Sequence, residues 1–154
     1  MNNKIQVMDI EIYPNFFCIV FYDIKSKEFT IFEISDRLDK GEQLLSYLKQ
    51  NGLMLVGFNN VNFDYPLLHN TLLSNPKKWT SLELFKAGQS IIESKYSSIW
   101  DNQVKIPQLD LYKIWHYDNK NKATSLILAK YKPIKLTGNS LELYTLSITV
   151  MIIV

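Results

Sequence analysis

The first third of the chain holds three apolar segments that predict β-strands. Residues 4–13 form the first, and residues 16–24 form a second that is apolar on both faces and therefore central in a sheet. The polar turn Lys25-Ser26-Lys27 leads into a third strand, E-F-T-I-F-E-I, in a hairpin-like arrangement.

Helical and extended patterns then alternate. Asp39 and Glu42 resemble a capping box ahead of the leucines in L-L-S-Y-L, and Asn51-Gly52 ends that helix. The segment L-M-L-V-G-F-N-N predicts a fourth strand, and a helix follows from about Asp64, with Pro66 in its first turn.

The next segments predict one more helix and one more strand. S-L-E-L-F-K-A-G-Q-S-I-I-E-S-K-Y has a helical period weakened by Gly88, and I-P-Q-L-D-L-Y-K-I predicts a fifth strand before a polar, basic loop. We therefore expect a mixed sheet of about five strands with helices packed on it.

Composition narrows the class of protein. The 154 residues are 47% apolar and 13% aromatic, which excludes a disordered chain and predicts one domain with a real core. The net charge of +2 excludes a polycationic DNA-coating protein but allows a local basic patch. Cys18 lies in an apolar run and is expected to be a core residue in a reducing compartment. The chain starts with polar residues and ends in an apolar run too short for a membrane helix of ~20 residues, so we expect a cytoplasmic protein with no membrane partner.

Two acids interrupt the first strand. Because strand side chains alternate, Asp9 and Glu11 lie on one face, where they repel each other unless water or a cation separates them. Asp64, at a strand-to-helix junction, is by itself typical of a helix N-cap. Together the three carboxylates have the oxygen chemistry that Mg²⁺ or Mn²⁺ prefers, and two such ions ~3.5–4 Å apart can cleave a phosphodiester.

The D-I-E of the first strand and the later Asn60-Val61-Asn62-Phe63-Asp64 resemble the first two motifs of the DEDD 3′–5′ exonucleases, which are ribonuclease H-like proofreading nucleases, and in particular their phage-type members. The paired motifs, separated by a hairpin strand and a helix, are far more specific than D-x-E alone. The resemblance implies a ribonuclease H-like exonuclease domain over residues 1–126, with a divergent tail over residues 127–154.

The resemblance also implies roles for individual residues. Asp9, Glu11 and Asp64 would hold two Mg²⁺ or Mn²⁺ ions, with Asp9 shared by both. Asn60 and Phe63 would shape the pocket for the terminal nucleotide. Tyr13 would stack on a base or, as an alternative, lie in the core. Asp110 would support the metal ligands, and A-T-S-L at residues 123–126 resembles the start of the following helix.

The substrate that the resemblance implies is the 3′ end of single-stranded DNA, with RNA as the other candidate, and a DNA polymerase is the implied partner in replication. The family's fourth carboxylate, which follows a tyrosine or histidine on the last helix, has no match. Asp118 comes too early for it, and the neighbouring His116 is more simply a loop residue.

Likeness to the family fades after Leu126. The tail ends in the β-branched run S-I-T-V-M-I-I-V, either as an added strand in a short variant or, as we prefer, as a frame-shifted end of a truncated exonuclease. The competing hypothesis is a non-catalytic nucleic-acid-binding or protein-interaction domain. Its candidate contacts are lysines and interleaved aromatics, namely Lys77, Lys78, Lys113, Lys120, Lys122, Trp79, Trp115 and Tyr117.

Overall fold

The sheet has five strands and mixed polarity. The computed structural model describes residues 4–94 and 99–115. Within them the strands are β1 (Lys4–Tyr13), β2 (Phe16–Asp23), β3 (Phe29–Ser35), β4 (Leu53–Gly57) and β5 (Gln108–Asp110), in the spatial order β3-β2-β1-β4-β5. The first three strands are antiparallel, whereas β4 is parallel to both β1 and β5. The predicted α/β class, with a mixed sheet of about five strands and helices beside it, is confirmed, whereas the ribonuclease H-like assignment stays a prediction.

Helices of the same compact unit flank this sheet. They are α1 (Gly41–Leu48), α2 (Asp64–Leu68) and α3 (Ser81–Glu93), together with a π-helical turn, His69–Leu73, and a 3₁₀ turn, Asp101–Gln103. A further helix, α4 (Leu111–Trp115), follows β5 in the chain. None of the helices within residues 4–94 and 99–115 is long and apolar enough to cross a membrane.

One face of β1 builds the core. Met8 and Ile10 point into it with Phe17 and Ile19 of β2, and all four side chains are buried. Helix α1 closes this face through Tyr47, whose ring lies 4.8 Å from that of Phe21. The alternate face of β1 carries Asp9 and Glu11, as the period of two predicts. Because the face with Met8 and Ile10 is the one that packs into the core, both acids lie outside the main core.

The cap predicted for α1 is not formed. Helix α1 starts at Gly41, with Lys40 at the N-cap and no side-chain cap. Asp39 instead forms a β-bridge with Ile34, and its carboxylate accepts a 3.0 Å hydrogen bond from the Gly41 N–H. The capping box belongs to α3, where Thr80 and Glu83 satisfy each other's backbone N–H groups.

The fifth strand is shorter than predicted. Residues 106–114 were expected to be extended, but β5 covers only Gln108–Asp110 and α4 begins at Leu111. Asp110 ends the strand because its carboxylate turns toward the loop after β4, where it accepts backbone N–H groups. Residues up to Asp110 belong to one compact unit and Leu111 starts the next. The predicted boundary after residue 126 lies outside the described residues.

Candidate active site

The acids of β1 lie where that strand extends past its parallel neighbour. Pairing between β1 and β4 ends at Val7 and Val56, and Asp9 is two residues further on. On the other side β1 stays paired to β2, with Asp9 opposite Val20 and Glu11 opposite Cys18. The carboxyl ends of parallel strands are where α/β sheets bind ligands, so this edge is the expected place for chemistry.

Asp64 reaches the same edge through a tight loop. The chain leaves β4 at Gly57, passes Asn59 in the left-handed region (φ 61°), and enters α2 at Asp64. Phe63, not Asp64, occupies the N-cap position, and no side chain caps the helix. Asp64 is therefore the buried first residue of α2, which rules out its reading as a simple N-cap.

The charge of Asp9 acts on Asp64. Burial, the charge of Asp9 and the charge of Asp110 raise the pKa of Asp64 to about 7, while backbone N–H groups of Asp64 and Ile10 partly offset the rise. Burial and the charge of Glu11 raise the pKa of Asp9 to about 6. The edge thus holds carboxyl groups whose negative charges lack full compensation, an environment that a divalent cation would relieve.

The predicted three-carboxylate cage is not closed. Among residues 4–94 and 99–115, no three His, Cys, Asp or Glu side chains lie close enough together to hold a metal ion. Glu11 is two strand residues beyond Asp9, a spacing of ~7 Å along the backbone, which separates it from the junction at Asp64. The charge of Glu11 acts on Asp9 and the charge of Asp9 acts on Asp64, so the three carboxylates form a row rather than a closed cage.

Asp110 lies behind this pair and holds the loop that leads to Asp64. Its two carboxylate oxygens accept hydrogen bonds from the N–H groups of Asn59 (2.8 Å) and Val61 (3.3 Å), and its side chain is buried. Gly57 is the register partner of Asp110 in β4. Asp110 therefore holds the loop that leads to Asp64, and its role as a support of metal ligands stays a prediction.

Asn60 is buried against the same loop, with only 1% of its surface exposed. Its side-chain amide donates a 2.8 Å hydrogen bond to Gln108 of β5, and its backbone carbonyl accepts the Tyr65 N–H at 2.8 Å. A Cβ added at Gly57 would lie 2.7 Å from the Cβ of Asn60, so a glycine is required there. Asn60 therefore shapes the edge from inside the protein rather than from its surface.

The two candidate aromatics differ in exposure. Tyr13 is 53% exposed at the end of β1, which excludes the alternative reading as a core residue. Phe63 is partly buried, and its ring lies 3.6 Å from the position that a Cβ on Gly88 would occupy. Of the pair, Tyr13 is the one available to a base, while Phe63 packs under α3.

Several residues near the site were missed or fall elsewhere. Gln108 had no sequence signal, because its contact with Asn60 joins positions 48 residues apart. Cys18 is buried, as predicted, and burial with the charges of Glu33, Glu11 and Asp9 raises the pKa of its thiol. The candidates His116, Tyr117, Asp118, Lys120 and Lys122, the A-T-S-L segment and the tail over residues 127–154 lie outside the described residues.

The lysines proposed for strand binding in the competing hypothesis have partners. Lys77 donates to Glu83 at 2.6 Å and lies 4.2 Å from the centre of the Trp79 ring. Lys78 pairs with Asp39 at 3.1 Å. Lys77 and Lys78 are therefore paired with acidic side chains, whereas Lys113 is exposed on α4.

The comparisons with known proteins return exonuclease I structures. The zinc-bound complex of Escherichia coli exonuclease I with single-stranded DNA is 12% identical, with a TM-score of 0.44 over 76% of this chain and 30% of that chain. A complex of ExoI with SSB-Ct is also 12% identical, with a TM-score of 0.42 over 76% of this chain and 30% of that chain. No protein-family model and no curated protein matches the sequence. The chain spans less than a third of the exonuclease I length, so that protein's activity and partners are not transferred by this similarity.

Proposed function

We propose that this chain carries a metal-dependent 3′–5′ exonuclease site that hydrolyses single-stranded DNA. The observation that carries the proposal is that Asp64 accepts the N–H of Ile10, the residue after Asp9, and feels the charge of Asp9, where β1 extends past β4. Burial raises the pKa of both carboxyls, and the charge of a neighbouring carboxylate raises each pKa further, Glu11 for Asp9 and Asp9 for Asp64, which supports the proposal. Perturbed carboxyls grouped at a strand edge are typical of catalytic or metal sites.

The residues assigned to the metal are Asp9, Asp64 and Glu11. Asp9 is the natural shared ligand, because its charge acts on Asp64 while the charge of Glu11 acts on Asp9. When bound, Mg²⁺ or Mn²⁺ supplies a hydroxide-like nucleophile and stabilises the leaving oxygen of the phosphodiester. The resemblance to the exonuclease family implies two bound ions, and the Asp9–Asp64 pair supports the binding of at least one.

The protonation of Asp9 and Asp64 affects their binding of a metal ion. A carboxyl must be ionised to ligate a hard cation, and Asp9 (pKa about 6) and Asp64 (pKa about 7) hold protons for part of the time near neutral pH. Metal binding therefore displaces protons from this pair. Asp110 does not need to touch the metal, since its oxygens are engaged by the loop that positions Asp64.

Tyr13 is the residue proposed to contact the DNA. It lies on the same face of β1 as the two acids, four residues from Asp9 and more than half exposed. An exposed aromatic ring beside a phosphate-cleaving site suits stacking on the terminal base of a single strand. A DNA polymerase is the partner, and phage replication the setting, that the motif resemblance implies.

The test is a cleavage assay with single-stranded DNA labelled at its 5′ end. With Mg²⁺ or Mn²⁺ we expect a ladder that shortens one nucleotide at a time, and we expect Asp9→Asn and Asp64→Asn to abolish it. Asp36→Asn, which changes an exposed carboxylate in the loop after β3, is the matched control. Internal cleavage, or a ladder unchanged by Asp9→Asn, would refute the proposal. A labelled RNA of the same sequence decides between the two substrates.

A non-catalytic nucleic-acid-binding or protein-interaction domain is the second candidate. The absence of a closed three-carboxylate group within the described ranges favours it. The pairing of Lys77 and Lys78 with acids counts against their proposed contact with a strand. Such a domain would retain DNA in a filter-binding assay without shortening it, and Asp9→Asn would leave that binding unchanged.

A further inference from the structure

A cavity of about 450 Å³ lies at the opposite end of the sheet from the acids. It is lined by the end of α1, the start of β4 and two neighbouring segments, and the lining residues include Leu48, Lys49, Leu53, Leu73, Lys105 and Ile106. Leu53 at its wall and Gly57 at the acidic edge are four positions apart, ~13 Å along β4. The cavity is therefore distinct from the candidate active site.

All the charged side chains that line this cavity are positive. Lys49 and Lys105 line it, and none of the lining residues is acidic. The ammonium of Lys105 donates to the Leu73 carbonyl at 2.7 Å and to the Ser74 hydroxyl at 3.2 Å, which holds it at the wall. The carboxyl end of α1 contributes about half a negative charge, which the two lysines exceed.

The walls also offer apolar surface. Leu48, Leu53 and Ile106 are buried residues of the core that face the cavity on one side. A volume of this size is within the range of cavities that hold drug-sized ligands, which pair apolar walls with a few polar groups. An anion with an apolar portion would contact both the lysines and the apolar walls, whereas inorganic phosphate would contact only the lysines.

We infer that this cavity binds a small organic phosphate, of the class of a nucleoside 5′-monophosphate, through Lys49 and Lys105. The phosphate contacts the two ammonium groups, and the base or another apolar portion lies against Leu53 and Ile106. The inference does not depend on the proposed exonuclease activity, because none of these residues belongs to the acidic edge.

The test is isothermal titration calorimetry of the full chain with AMP, adenosine and inorganic phosphate. We expect AMP to bind, and adenosine and phosphate each to bind at least about tenfold more weakly, since each lacks one half of the contacts. Lys49→Gln and Lys105→Gln should each weaken AMP about tenfold, the usual loss for a hydrogen bond to a charged group.

Three further variants keep the result interpretable. Lys105→Arg should retain binding, and Lys86→Gln, an exposed charge on α3, should not change it. Asp9→Asn should leave AMP affinity intact, and a change in either direction would place the nucleotide at the acidic edge and overturn the inference. Equal affinity for AMP and phosphate, no AMP binding, or insensitivity to Lys49→Gln would overturn it too. Lys49 has no side-chain hydrogen bond or ion pair to other described residues, so its substitution tests binding without disturbing the fold.

Discussion

Replacing Asp64 by asparagine should make the metal-free protein more stable at alkaline pH. The pKa of Asp64 is about 7 in the folded chain, against an ordinary value of 3.8. The folded protein therefore keeps a proton that the unfolded chain has released, and stability falls as pH rises from about 4 to about 7 and then levels off. At about 1.4 kcal/mol per pH unit, the ionised carboxylate costs roughly 4 kcal/mol above pH 7.

The expected gain is smaller than that cost. The amide of asparagine is a weaker acceptor for the N–H groups that face the carboxylate, a loss of about 1 kcal/mol. We therefore expect Asp64→Asn to raise the free energy of unfolding at pH 8 by about 3 kcal/mol. For a chain of this size the melting temperature should rise by about 6–12 °C.

The assay is thermal unfolding followed by circular dichroism, with a chelator present, at pH 8 and pH 5. At pH 5 the folded Asp64 is protonated and most of the cost is absent, so the gain should shrink to less than about 1 kcal/mol. Asp36→Asn, an exposed control, should leave stability within about 0.5 kcal/mol at both pH values. A destabilised Asp64→Asn at pH 8, or a gain that does not depend on pH, would refute the electrostatic reasoning.

Four other outcomes follow from the same geometry. Hydrolysis at a subsaturating Mg²⁺ concentration should speed up with rising pH through about 6 to 7, because Asp9 and Asp64 must ionise before they bind the metal, and initial rates check this. Gly88→Ala should stabilise α3 by about 0.5–1 kcal/mol in urea unfolding, because the added Cβ meets its nearest neighbour at an ordinary 3.6 Å. Gly57→Ala should destabilise by about 1–3 kcal/mol in the same assay, since its Cβ would clash at 2.7 Å. Asp110→Ala should cost about 2–4 kcal/mol by leaving two loop N–H groups without their acceptor, and an unchanged unfolding midpoint would contradict that reading.

The strands and the position of the acids could be predicted because they depend on local pattern. The first strand was predicted at 4–13 and is found there, and its period of two puts Asp9 and Glu11 on one face. The second strand ends one residue earlier than predicted, because the carboxylate of Asp23 accepts the N–H groups of Lys25 and Ser26 and starts the turn. Sequence pattern is sufficient where neighbours along the chain decide the structure.

The wrong predictions concern segments whose structure depends on contacts with residues outside the local sequence pattern. Asp39 has the spacing of a capping box with Glu42, but its bridge to Ile34 delays the helix to Gly41. The capping box that does form, Thr80 to Glu83, has the expected T-x-x-E pattern and was detectable. The early end of the fifth strand at Asp110 depends on a loop 49–51 residues earlier, which no local pattern reveals.

The candidate site was predictable in its members more than in its geometry. The motifs named Asp9 and Asp64 as candidate ligands, and the charge of Asp9 does act on Asp64, but the closed cage with Glu11 does not form among the described residues. The burial of Asn60 and the exposure of Tyr13 depend on how β5 and the end of β1 are placed, so neither followed from sequence.

Calorimetric titration with Mn²⁺ at pH 7 tests most directly whether Asp9 and Asp64 form a metal site. We predict saturable binding to the chain, with proton release that appears as a dependence of the heat on the ionisation enthalpy of the buffer. Binding should be lost in Asp9→Asn and in Asp64→Asn and retained in Asp36→Asn. No binding to the unmodified chain, or equal binding to all three variants, would contradict the central claim.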